Sequence, residues 1–120
     1  MAFRIKRVYE QADAGDGIRV LVDRLWPRGL KKVEAHLTLW MKEVAPSTSL
    51  RQWFGHKPER FAQFSRRYRR ELAGNAEFAE LRRLGRGRAV TLLYAAHDPK
   101  FNHAVVLQAL LRARRKPAGT

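Results

Sequence analysis

Apolar and basic positions alternate over Phe3-Arg4-Ile5-Lys6-Arg7-Val8, with Phe3, Ile5 and, after a slip, Val8 set against Arg4 and Lys6. A period near two predicts a half-exposed strand toward a sheet edge. Gln11 to Gly17 gathers Asp13, Gly15, Asp16 and Gly17 and reads as a turn segment. Ile18 to Val22, uncharged except for Arg19, predicts a second, buried strand, and Arg88 to Tyr94 predicts a central one. The stretch Leu37 to Val44 fits either period: Leu37, Leu39 and Met41 recur by two, while Leu37, Trp40, Met41 and Val44 fit a helix. The sharp stop at Ala45-Pro46 favours a third strand or extended segment there.

Helical spacing governs the rest. Leu30 to His36 predicts a short helix after Gly29. Ser47 or Thr48 caps another, with Leu50, Trp53 and Phe54 on one face and Gly55 as its stop. Pro58 and Glu59 suit a first turn, and Phe61, Phe64, Tyr68 and Leu72 then form one apolar stripe. Gly74-Asn75 separates this helix from the next, where Phe78, Leu81 and Leu84 face inward and Arg82 and Arg83 lie late, as the helix dipole favours. Asn102 caps a final helix with a wide apolar face from Val105 to Leu111. Strands separated by helical segments predict an α/β fold: a small, mostly parallel sheet covered by helices, a Rossmann-like three-layer sandwich. It is expected as a single domain over residues 1–120, with a flexible basic tail over 112–120.

Charge changes the picture more than length does. The 120 residues carry 25 Lys+Arg against 11 Asp+Glu, a formal +14, with residues 1–60 at +5 and residues 61–120 at +9. Such a field attracts nucleic acid at least non-specifically. The absence of cysteine excludes disulfides, thiolate metal sites and cysteine nucleophiles. The charged N-terminal residues do not fit a signal peptide and no apolar run approaches a membrane span, so no membrane partner and a cytoplasmic location are expected. His36, His56, His97 and His103 match no standard metal-ligand spacing, so neither a metal nor a cofactor is expected.

Candidate chemistry concentrates in loops leaving the strands' carboxyl ends, where ligands of α/β sheets bind. Asp23-Arg24-Leu25-Trp26-Pro27-Arg28-Gly29 offers an acid, two arginine forks suited to carboxylate or phosphate, and an indole, on a backbone restricted by Pro27 and Gly29. Asp23 and His97 are the acid/base candidates. Arg24, Trp26, Arg28, Ser47, Tyr94, Asp98, Asn102 and His103 are the candidate binding residues, the last two at a helix N-terminus able to hold an anion. No phosphate-binding glycine loop and no G-x-S-x-G elbow is present.

Five blocks carry a resemblance: Val20 to Gly29, Trp40 to Ser47, Trp53-Phe54-Gly55-His56, Leu92 to Asp98, and Asn102 to Leu107. In this order they resemble the YeaO-like proteins of the bacterial domain-of-unknown-function 488 family, from about Ile5 to Leu111. The resemblance implies a small cytoplasmic α/β domain and no established activity or catalytic residue. Three readings follow. The first is an anion-binding pocket at the carboxyl ends of the strands, with an enzyme acting on a phosphorylated, carboxylated or nucleotide-like compound within its range. The second is a nucleic-acid-binding module using Arg66, Arg67, Arg69, Arg70, Arg82, Arg83 and the basic tail. The third is a non-catalytic scaffold or oligomerising protein whose arginines are ordinary surface.

Overall fold

Strand β4 (Val90–Tyr94) is buried at every residue and forms the spine of the sheet. A computed structural model describes residues 3–113. In it β4 pairs in parallel with β1 (Phe3–Arg7) on one side and β2 (Ile18–Leu21) on the other, in register Ile5↔Leu92 and Val20↔Leu92. The order is β1-β4-β2-β3, with β3 (Leu39–Trp40) short and at the edge. All pairings are parallel, so each strand aims its carboxyl end the same way.

The helices are α1 (Lys32–Ala35), α2 (Thr48–Phe54), α3 (Phe61–Leu72), α4 (Ala76–Leu84) and α5 (His103–Arg112). Alternation along the strands sorts two faces. Phe3, Val20, Val90, Leu92 and Tyr94 join Leu50, Phe54, Phe64, Tyr68, Leu72, Leu81 and Leu107 in the main core, beneath α2 to α5. Leu21 and Leu93 face the other way and meet Val8, Trp26, Leu30, Leu37 and Trp40. The result is an α/β sandwich whose second covering layer is thin, built from α1 and the segments flanking it. Among the described residues no helix is long and apolar enough to cross a membrane.

On that thin side the sheet carries charge. Asp16 is 3% exposed and Arg19 5%. Asp16 pairs with Arg19 and, at 3.1 Å, with Lys6 Nζ. Arg19 also donates to the carbonyls of Ala35 (2.9 Å) and His36 (3.0 Å), fixing the end of α1 to the sheet. Burial alone would raise the Asp16 carboxyl, but the Asp13 N–H and the Lys6 and Arg19 cations outweigh it and hold it below its ordinary value. The turn before β2 needs Gly17: its φ is 65°, and a Cβ there would lie 2.3 Å from the Ala89 carbonyl oxygen.

One expectation needs correction, and another falls mostly outside the described residues. Only Leu39–Trp40 of the stretch Leu37 to Val44 is a strand. Met41 N closes the ladder on Leu21 O (2.9 Å), and Lys42–Val44 is a 3-10 turn. Leu37 and Trp40 pack on the thin side while Met41 and Val44 enter the main core, so neither simple period holds. The tail beginning at Arg112 starts as the last residue of α5, and residues 114–120 lie outside the described ones.

Candidate functional site

Beyond β2 the chain stays tied to β4 for two more residues. Val22 N donates to Leu93 O (3.1 Å), and Asp23 Oδ2 accepts from Ala95 N (3.0 Å). The Asp23 carbonyl accepts from Trp40 Nε1 at 2.7 Å. Arg24 then reaches across to the loop after β3, donating to Pro46 O and Ala45 O, both at 3.2 Å, with Glu43 at 3.7 Å. Tyr68 supports that loop from α3 by donating its hydroxyl to Val44 O at 2.6 Å; burial pushes this phenol far above its ordinary value.

The loop after β4 is built on itself. Asp98 Oδ1 accepts from Lys100 N (2.8 Å) and Phe101 N (3.1 Å), and its carbonyl accepts from Asn102 Nδ2 (2.8 Å). Asn102, 2% exposed, caps α5 through Val105 N (3.0 Å). His103 opens α5, and its Nε2 lies 3.1 Å from Val22 O and 3.1 Å from Asp23 Oδ1. Both neighbours are acceptor oxygens, so Nε2 carries the proton, directed at Val22 O, and the neutral ring keeps its lone pair on Nδ1. His97 Nδ1 is 3.2 Å from Arg7 Nη2, and Arg7 Nε donates to Ala96 O (3.1 Å). An arginine only donates, so His97 Nδ1 is the acceptor.

Between these loops lies a cavity of about 640 Å³. Asp23, Arg24, Arg28, His97, Asp98, Asn102 and His103 all line it, so residues far apart in sequence share one site. Its apolar lining comes from Leu25, Pro46, Phe54, Phe64, Ala95 and Ala96. Arg28 and Arg51 are exposed at the rim and their guanidinium groups form no hydrogen bond or ion pair among the described residues. Arg28 is positioned through its backbone, whose carbonyl accepts from the Tyr9 hydroxyl at 2.6 Å. Tyr9 is in turn covered by the Arg7 guanidinium, 4.7 Å from the ring centre.

Three expected binding residues lie elsewhere. Trp26 turns to the thin side of the sheet, packs edge-to-face on Trp40 at 5.4 Å, and donates Nε1 to Leu30 O. Pro27 beside it is buried. Ser47 caps α2 through Leu50 N and is drawn to Glu71 by its hydroxyl (2.6 Å) and N–H (2.9 Å). Tyr94 belongs to the core, 4% exposed, where burial raises its phenol. In their place the cavity takes Tyr9, Arg51, Phe54, His56 and Phe64, none of which the sequence singled out for binding. Gly55 and His56 both have positive φ (53° and 58°), a doubled turn that delivers His56 to the site.

The whole described chain falls within one family model, which matches residues 2–118 and is described as "Inactive DUF488-N3 subclade". The chain belongs to this family. Among DUF488 relatives, the Escherichia coli "Uncharacterized protein YeaO" is 44% identical over 114 residues, covering 94% of this chain and 99% of that one. An uncharacterized protein of Mycobacterium tuberculosis is 48% identical over 111 residues, covering 92% of this chain and 94% of its own. No solved structure matches. The resemblance read from the five DUF488 blocks is therefore shown, and the blocks Val20 to Gly29, Leu92 to Asp98 and Asn102 to Leu107 supply seven of the cavity residues expected from sequence.

Proposed function

We propose that the cleft binds a small organic anion with an apolar body, a phosphorylated, carboxylated or nucleotide-like compound, and holds it without turning it over. One observation carries this reading. Arg28, Arg51 and His56 line the cavity with no hydrogen bond or ion pair of their side chains among the described residues, above an apolar floor of Phe54, Phe64, Ala95 and Ala96. Unengaged guanidinium forks over an apolar surface fit an anionic head on a ring or chain.

Four of the polar groups at the cavity also hold its loops together. Asp23 binds Ala95 N, Arg24 binds two carbonyls, His97 Nδ1 accepts from Arg7, and His103 Nε2 sits on Val22 O. The family description, an inactive subclade, agrees with binding alone.

Thermal unfolding with inorganic phosphate, adenosine monophosphate and benzoate tests the reading. At least one probe should raise Tm in wild type, with about 2.7 kcal/mol of stabilisation at a hundredfold excess over Kd. Arg28→Ala and Arg51→Ala should each abolish most of that rise. No shift from any of the three, or equal shifts in wild type and both variants, would overturn it.

A further inference from the structure

The sequence presents its arginines as one population, and the structure divides them. Arg82 is half-buried, donates to Leu110 O at 3.0 Å and lies over Phe78; Arg83 pairs with Glu80 at 3.2 Å. Arg82 is thereby committed to the fold, while Arg83 stays exposed with a carboxylate beside it. Arg66, Arg69 and Arg70 on α3 differ: all are exposed and none forms an ion pair or side-chain hydrogen bond among the described residues. Residues 57–70 hold Lys57, Arg60, Arg66, Arg67, Arg69 and Arg70 against Glu59 alone, a net +5 of the chain's +14.

We propose that the outer face of α3 docks on the phosphate backbone of a nucleic acid. Phe64, Tyr68 and Leu72 bury the opposite stripe, so the arginines have one orientation relative to the core. Glu71, the one carboxylate on α3, is drawn off to Ser47. Arg67 and Arg60 are held against Trp53, with guanidinium carbons 4.6 and 5.2 Å from its ring centre, and Arg60 also donates to Trp53 O. Stacking restricts these two side chains before any partner arrives and lowers the entropy lost on contact. Every cation of α3 is an arginine, whose planar fork matches phosphate oxygens in pairs. A lipid surface fits less well: among the described residues the large apolar side chains that are exposed are Tyr9, Leu25, Val33 and Leu39, none on α3, whereas an interfacial helix needs an apolar face to insert. This surface is separate from the cleft and does not rest on the cleft's ligand.

Fluorescence anisotropy with a fluorescein-labelled 20-nucleotide single-stranded DNA, titrated over a series of salt concentrations, tests the proposal. Wild type should bind, with log K falling linearly in log[salt]. Arg66→Gln/Arg69→Gln/Arg70→Gln should flatten the slope by about 2, at about 0.7 per lost phosphate contact on a single strand. Arg86→Gln/Arg88→Gln/Arg112→Gln removes the same formal charge from other exposed positions and should flatten it by less than half as much. Circular dichroism confirms folding of each triple variant; Arg66→Gln alone, expected to remove about a third of the effect, stands in if the α3 triple fails to fold. Absence of binding, equal losses in the two triples, or binding only to phosphatidylglycerol vesicles would overturn the assignment.

Discussion

His103 Nε2 lies 3.1 Å from Asp23 Oδ1, yet no aligned hydrogen bond joins them, because the same N–H points at Val22 O. One ring thus ties the start of α5 to the end of β2, beside the carboxylate that ties β2 to β4. Nitrogen-15 NMR of the imidazole should find the Nε2–H tautomer in the neutral ring; an Nδ1–H tautomer would contradict this arrangement. Asp23→Asn should cost about 1–3 kcal/mol in urea unfolding, because its NH₂ must face either the His103 N–H or the Ala95 N–H. A loss below about 0.5 kcal/mol would show that the carboxylate is not needed there.

Arg24 and Arg28 stand four residues apart and should behave oppositely. Arg24→Ala removes donors from Ala45 O and Pro46 O and should destabilise by about 1–2 kcal/mol. The Arg28 guanidinium forms no hydrogen bond or ion pair among the described residues, so Arg28→Ala should stay within about 0.5 kcal/mol of wild type while losing ligand-induced stabilisation. Denaturant midpoints with and without the anion probes separate the two roles.

Asp16 makes stability depend on acid. Its carboxyl is held below the ordinary 3.8, so the unfolded chain binds this proton more readily than the folded one. Its contribution is fully present above that value and is lost as pH falls through the lower folded-state value. Lys6 acts at the other end: burial works against its charge, but Asp16 and Asp13 outweigh burial and hold it above 10.5, so its contribution is lost only as pH rises beyond that. Unfolding free energies at pH 7, 5, 4 and 3 should therefore fall on the acid side for wild type. In Asp16→Asn the part of that fall due to Asp16 should be absent, with stability already lower at pH 7 by about 3 kcal/mol because Arg19 remains buried without its counter-charge.

Gly17→Ala should cost about 3 kcal/mol. Its φ of 65° strains any side chain, and the added Cβ would press on the Ala89 carbonyl that receives the Ile18 N–H (2.9 Å). Gly29→Ala has a positive φ too (75°), but nothing lies within 4 Å of its Cβ, so its cost should be smaller, about 1 kcal/mol. Thermal melts of the pair check the order, and equal losses would show that the contact at Ala89 contributes nothing.

Local rules were enough for much of the secondary structure. The caps at Ser47 and Asn102 were readable because each is a short polar side chain followed by an apolar period. The identity of β4 was readable from an uncharged run, apolar except for Thr91, and the stripe Phe61, Phe64, Tyr68, Leu72 from spacing. Trp26 misled because an indole in a loop of arginines looks like a ligand platform, and only the neighbouring Trp40 reveals it as cover for the sheet. Arg51 and His56 carried no local mark, since their place at the cavity depends on how α2 packs against α3 and on two successive left-handed residues.

By itself, then, the sequence determined which segments outside Leu37 to Val44 are strands and helices, where most of them end, and which loops carry polar chemistry, because those properties follow from periodicity, capping and backbone restriction within a few residues. Tertiary structure decided which side chains are engaged and which are free. Arg24, Arg28, Arg66 and Arg82 are the same chemical group, and only the carbonyls, rings and carboxylates brought to them from distant parts of the chain make two of them struts and leave two open to a partner.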